Sequence, residues 1–311
     1  MKHNLKITIA LLLMFIITQF VGLYVVDYYS PVKVIGGNLI SVPSPELPFG
    51  LGIPKVERES DYYSFFTGIV IAFAIAIFLF LFLKKFKIEI LLRIWFFTVI
   101  FISLSISLLS ITSKFINYAL VISIITAFLL SLIKIFKRNL FVHNITEILI
   151  YPGISAVFVP ILNIYTIVFL LVIISIYDVW AVWHSGIMQK MAKYQINQLK
   201  IFSGFFVPYI SKKMRMKIKK WKVTLSKSQL KKKKIKIDIA ILGGGDIVFP
   251  IITAGVMLKT FGLLSAIIVI IGATLGLGYL FFFAEKKKFY PAMPFITTGI
   301  LIGIGVSYLV I

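Results

Sequence analysis

The chain has 311 residues, 60 % of them hydrophobic and only 14 % charged, a balance that excludes an ordinary soluble domain. It contains no cysteine, so disulfides, thiol catalysis and thiolate metal sites are excluded too. A net charge of +22 would suggest nucleic acid in a soluble protein, but sixteen of the 33 Lys and Arg lie between Lys190 and Lys236 with no acid among them, the usual mark of a cytoplasmic loop in a membrane protein.

Taken in order, the apolar runs predict nine transmembrane spans. Residues 5–25 form the first, after Lys2 and Lys6; it is longer than a signal-peptide core and lacks an A-x-A-like cleavage site, so a retained span is expected. Residues 26–63 hold five of the eleven prolines and the acids Asp27, Glu46, Glu57, Glu59 and Asp61, and read as an irregular, partly ordered loop. Spans follow at 64–83, 90–111 and 115–133. The stretch Ile148–Trp183 is too long for one crossing, and Pro160 and Asn163 break it into spans near 145–162 and 164–183. After the basic loop come spans near 239–258, 261–283 and 289–311. The expectation is an all-α polytopic membrane protein forming one membrane-embedded domain, with six spans in 1–184, a basic cytoplasmic loop at 185–237 and three spans in 238–311.

The charges test that count. With the N-terminus inside, one side receives Lys84, Lys85 and Lys87, then Lys134, Lys137 and Arg138, the sixteen-charge loop, and Lys286–Lys288. The other side receives the acidic proline-rich loop, Lys114 and Lys259. Every junction obeys the positive-inside rule, which puts the N-terminus in the cytoplasm and the C-terminus outside. Lys231–Lys234 are then expected to meet anionic lipid headgroups rather than nucleic acid.

Two aspartates are set deep in apolar spans, where an ionisable group is costly and a functional role is the default reading. Asp246 sits in Leu242–Pro250, L-G-G-G-D-I-V-F-P, within a segment otherwise uncharged from Ile239 to Leu258; Asp178 sits in Ile176–Trp180. The three glycines Gly243, Gly244 and Gly245 weaken a helix there and bare the backbone to another chain. With the spans as drawn, both acids lie on the order of 10 Å from the same membrane face by helical rise, on antiparallel neighbours, and can meet. Two carboxylates sharing a proton form a general acid and a general base, sufficient to hydrolyse a peptide bond with water and no cofactor. A proton or cation site in a transporter, or a pair of protonated packing groups, accounts equally well for burial alone.

The residues around the pair separate these readings. Tyr177-Asp178 and Gly243-Gly244-Gly245-Asp246 on adjacent spans resemble the YD and GxGD motifs of the presenilin and signal peptide peptidase family of intramembrane aspartyl proteases. Pro291-Ala292-Met293-Pro294 is similar to the family's PAL motif, with Met293 for leucine, a swap of similar volume. The triple glycine and compact length look like the microbial members. This resemblance implies a presenilin-like fold, Asp178 and Asp246 as the catalytic dyad, and Gly243 and Gly245 leaving room for a substrate backbone. It also implies that Pro291, Ala292 and Met293 lie beside the dyad and help position substrate, whereas Tyr177 either takes part or only packs. The implied substrates are single transmembrane helices, with no cofactor and no metal, in a multi-pass protein of a microbial cell membrane. Accessory subunits are not expected to be required, and homo-oligomerisation stays open. A substrate helix must unwind before attack, and an added β-strand would satisfy its freed backbone; Ile201–Val207 and Lys236–Ile239 are candidate edges.

Other features take structural readings. Gly272 with Gly276 and Gly299 with Gly303 have the spacing of close helix packing. His143 and Glu147 are four apart, without another expected ligand for a metal. Asn144-Ile145-Thr146 fits a glycosylation sequon but is expected on the cytoplasmic side, hence unmodified. Trp180, Trp183 and Trp221 read as interfacial anchors.

Overall fold

A computed structural model describes residues 5–35, 38–52, 56, 58–83, 89–137, 139–186, 188, 191, 194–195, 201, 203–209, 238–284 and 290–310. Most of the basic loop with Lys231–Lys234, the clusters Lys84–Lys87 and Lys286–Lys288, Trp221 and Ile311 lie outside the described residues.

Nine long helices run through the described residues: α1 Leu5–Tyr29, α2 Glu59–Leu83, α3 Glu89–Thr112, α4 Ala119–Phe136, α5 Leu140–Phe158, α6 Ile164–Val179, α7 Gly245–Phe261, α8 Leu263–Phe283 and α9 Met293–Val310. Eight are long and apolar enough to cross a membrane, counting the turns that extend α5 and α6. The ninth, α7, has 17 residues, because the chain enters it as a strand. Two antiparallel hairpins complete the fold: β1 Val32–Ile35 with β2 Asn38–Ser41, and β3 Gly204–Tyr209 with β4 Asp238–Gly243. The chain is an integral, multi-pass membrane protein.

The expected break in the long apolar run is built by its polar residues. After α5 the chain tightens into a 3-10 turn over Val159–Ile161, which holds Pro160. Asn163 then caps α6: its Oδ1 accepts the Thr166 amide at 2.9 Å, and the Thr166 hydroxyl oxygen accepts the Asn163 amide at 2.9 Å. This reciprocal pair satisfies donors at the helix end that have no partner within the helix. Lys259, near the end of α7, closes the same corner by donating to the carbonyls of Val159 at 2.8 Å and Pro160 at 3.4 Å.

Helix α1 is a central post. Leu11, Phe15 and Gln19 are fully buried, and the Gln19 amide donates to the Ile247 carbonyl of α7 at 3.1 Å. Helices α1 and α5–α9 share one core with the β3–β4 hairpin, and α3 and α4 form a second cluster against α5. Helix α2 stands at the margin, with no buried residue in its spanning window.

Small residues set the closest approaches. A Cβ added at Gly272 would fall on the Gly299 carbonyl, and one at Gly299 on the Gly272 carbonyl; Gly276 meets the Phe295 carbonyl in the same way. The small-xxx-small reading of α8 and α9 therefore holds as backbone-to-backbone contact, the way helices gain packing when lipid is as apolar as their side chains. Gly262 joins α7 to α8 at φ 91°, a conformation open to glycine because it has no Cβ.

The seventh span differs from expectation. Residues 238–243 are strand rather than helix, so the three glycines mark a strand-to-helix junction and Asp246 lies in the first turn of α7, not eight residues into a helix. The pairing of β4 with β3 uses its backbone groups and overrides the helix that the apolar composition suggests. The ninth span likewise starts at Met293, after Pro291, and not near 289.

Packing of α8 on α9 gives a direct test. Gly272→Leu should lower the thermal midpoint in detergent, with a cost of at least about 1–3 kcal/mol for overpacking. Gly278→Ala, where an added Cβ meets nothing within 4 Å, should hold or raise it.

Candidate active site

Asp178 lies in the last turn of α6, where the helix widens into a π-turn over Trp180–His184. Trp180 and Trp183 on that turn are exposed. The Asp178 carboxylate, 6 % exposed, accepts the backbone N–H of Met293 through Oδ2 at 3.0 Å. That donor is available because Pro291 holds the chain out of helix. Ala292 supplies the first helical carbonyl, to Ile296 at 3.1 Å, and the amides of the first turn of α9 are left without helical acceptors. A helix N-terminus carries partial positive charge, and a carboxylate is its natural complement. One turn further on, the Ser175 hydroxyl donates to Thr297 at 2.8 Å, a second tie between α6 and α9.

Asp246 meets the same physics on its own helix. It is 8 % exposed and sits two residues inside α7, after the cap Gly244. Pro250, four residues on, cannot donate to the Asp246 carbonyl, so the helix opens at its first turn. Gly243 lies beside the side chain: an added Cβ there would be 3.1 Å from Asp246 Oδ2.

Both aspartates line one cavity of about 900 Å³. Its wall also holds Tyr177, Gly243, Gly244, Gly245, Phe249, Met293 and Ser203, and it opens toward apolar side chains of α2 and α3 such as Phe73, Ile77 and Trp95. Tyr177 does two things at once, lining the cavity and packing edge-on against Phe73 with ring centres 5.2 Å apart. Pro291 and Ala292 are not among the residues lining the cavity; they lead into α9 directly before the Met293 amide.

A family model of the signal-peptide peptidase and presenilin aspartyl proteases matches residues 54–311. The chain belongs to that family. It is an aspartic, intramembrane-cleaving protease. Two solved structures of a presenilin family intramembrane aspartate protease, one in space group C222 and one in P2, have the same fold, each with a TM-score of 0.59. Identity is 16 % and 15 %; the first alignment covers 98 % of this chain and 99 % of that one, the second 97 % of each. No curated protein matches the chain.

In this family member several residues near the site carry no motif signal. Tyr151 on α5 is fully buried, with its hydroxyl 3.3 Å from that of Ser203, and both crowd Gly244. Glu147 forms a buried ion pair with Lys134 at 2.6 Å. His143 bonds the Gly204 carbonyl at 2.8 Å through Nε2 and stacks on Phe206. Asn144, the sequon residue, bonds the backbone of Phe206. A polar stripe at near-helical spacing (143, 144, 147, 151) was the available signal. It could not be interpreted before β3 was known to lie against it.

The three glycines should separate cleanly. A Cβ at Gly244 would lie 2.6 Å from Ser203 Oγ and 2.8 Å from the Tyr151 hydroxyl, whereas one at Gly245 meets only Phe249 at 3.8 Å. Gly244→Ala should therefore lower the thermal midpoint, and Gly245→Ala should leave it unchanged, measured on the purified proteins side by side.

Proposed function

We propose that Asp178 and Asp246 are the acid–base dyad with which this protease hydrolyses peptide bonds inside a transmembrane helix of its substrate. The observation that carries this reading is that these two buried carboxylates line one cavity, each at a helix N-terminus. The ionised aspartate takes a proton from water as the oxygen attacks the scissile carbonyl, and the protonated one donates to the carbonyl oxygen. Collapse of the resulting diol transfers a proton to the amide nitrogen as the C–N bond breaks. The lining of the cavity is mostly apolar, a surrounding of low polarity that strengthens each of these charge interactions.

The β3–β4 hairpin supports a role in presenting substrate. Both edges suggested by the sequence overlap it, through residues 204–207 of β3 and 238–239 of β4, although 204–207 pair with 240–243 and 238–239 with 208–209; β4 runs directly into Gly243 at the cavity wall. An unwound substrate segment adding to β4 would satisfy its own freed amides and carbonyls and come to lie beside the aspartates. Gly245 leaves room there for its backbone, and Met293 fills the opposite wall. The substrate is accordingly a membrane-spanning helix, cleaved by the chain without accessory subunits. The charge pattern supports an N-terminus and a 185–237 loop on the cytoplasmic side, with six spans before that loop and three after it. The triple glycine and compact length, which look like the microbial members, support a microbial cell membrane.

The dyad is tested by Asp178→Asn and Asp246→Asn. Each should abolish cleavage of a transmembrane-helix peptide in proteoliposomes, and the double variant should be no worse than either alone, because the pair acts as a unit. Both should remain folded, since a neutral amide is cheaper to bury than an ionised acid. Met293→Leu should keep activity, while Pro291→Ala should lose it in a folded protein. Aspartate-dependent proton or cation flux in the same vesicles with no peptide bond broken would overturn the reading.

Orientation is tested separately in the cysteine-free chain. Glu46→Cys should react with an impermeant thiol reagent from outside intact cells, and Lys137→Cys only after the membrane is opened; both positions are exposed. Labelling of both from one side would break the nine-span topology.

A further inference from the structure

Strand β3 has two edges, and only one of them faces β4. On the other lies helix α5, and three features close that edge. The Asn144 side chain bonds Phe206 twice: its Nδ2 donates to the Phe206 carbonyl at 2.8 Å, and its Oδ1 accepts the Phe206 amide at 3.0 Å. His143 Nε2 bonds the Gly204 carbonyl at 2.8 Å. Position 208 is proline, which has no amide to donate.

A primary amide presents its oxygen and one of its two N–H bonds side by side, as a strand residue presents its own C=O and N–H to a neighbouring strand, so Asn144 stands in for one residue of a third strand. Its contacts also fix the phase of the hairpin. Phe206 faces Ile241 in the register, and the Phe206 backbone groups are turned toward Asn144. In an antiparallel pair such a position is one whose two residues do not bond each other, so the backbone groups of Ile241 point away from β3 as well. By the same alternation those of Ile239 and Gly243 do too, and Pro208, opposite Ile239, falls where a missing amide costs no ladder bond.

We infer that Asn144, assisted by His143, is a positioning and specificity residue: it caps the outer edge of β3, leaves β4 as the edge that takes the substrate strand, and holds the register of β4 and hence of Asp246. This rests on the reading of Asp178 and Asp246 as the dyad and of β4 as the substrate edge. The physical need is plain. An open strand edge is a template for any extended chain, and a hairpin with two open edges would offer substrate two pairing sites, of which β4 alone runs directly into Asp246. The ionisable neighbours of Asn144 are His143 and Glu147 on α5 and Lys134 on α4; Lys134 binds Glu147 at 2.6 Å and approaches His143 Nδ1 at 3.3 Å. They hold the stripe in place and are common to every variant of position 144.

The test compares wild type, Asn144→Leu and Asn144→Asp on a transmembrane-helix peptide in proteoliposomes, with products read by mass spectrometry across pH. Asn144→Leu keeps the branching of the side chain, at a somewhat larger volume, and removes both bonds. Its kcat should fall on the order of tenfold to a hundredfold, the scale of a small misplacement, and cleavage should spread to neighbouring peptide bonds. Asn144→Asp keeps the acceptor but sets a carboxylate against the Phe206 carbonyl; when protonated it regains a donor. Its kcat relative to wild type should therefore rise as pH falls, and its cleavage position should sharpen with it. That recovery within one preparation separates positioning from failure to fold, even if Asn144→Leu does not fold. If Asn144→Asp follows wild type at every pH with the same products, the edge cap is overturned while the dyad stands. If Asp178→Asn or Asp246→Asn cleaves like wild type, the dyad reading itself fails.

Discussion

The hydrogen bond from the Met293 amide to Asp178 joins residues 115 apart in the chain and ties the sixth helix to the ninth inside an apolar slab. It exists because a helix must begin somewhere, and its first amides have no helical acceptor. In water such amides cost little. In a bilayer each one left unpaired costs several kcal/mol, on the order of the desolvation of a polar group. A carboxylate in the same environment has the opposite need. Bringing the two together meets both demands, and Pro291 fixes the spot by keeping the preceding residues out of helix.

Asp246 follows the same logic on a different backbone. Its helix starts at Gly245 because residues 238–243 are used as strand, so the aspartate falls in a first turn rather than mid-span. Two carboxylates, each at a helix N-terminus, then face one cavity. Their position depends on two starts of helix, one set by a proline and one by a strand. Asp178 is carried on α6, which runs on through it into the π-turn, so only Asp246 leaves the mid-helix position that a simple span count gives it.

Polar groups elsewhere in the fold are held to the same standard. Gln19 bonds a backbone carbonyl of α7, Lys259 caps the carbonyls of the turn after α5, and Lys134 pairs with Glu147. Such groups are expensive to bury and specific about geometry, so they fix how apolar helices, which slide freely on shape alone, are set against each other. The stripe on α5 is the densest case, and it grips the strand that leads by its partner to Asp246.

The amino-acid sequence by itself determined the class of protein, the number of long helices, the break at Pro160 and Asn163, the packing faces of α8 and α9, and the pair of aspartates with their flanking motifs. These are legible because they follow from local composition: twenty apolar residues must span, glycine at four-residue spacing must allow close approach, and an acid in such a span is rare enough to notice. Tertiary structure alone decided that 238–243 is strand, that Met293 presents its amide to Asp178, that His143 and Asn144 bond the backbone of β3, and that Glu147 pairs with Lys134. A strand edge is satisfied by whatever lies across from it, and α5 and β3 are separated by some sixty residues of chain. Periodicity and propensity describe what a segment prefers alone; a backbone hydrogen bond to a distant side chain is invisible to both.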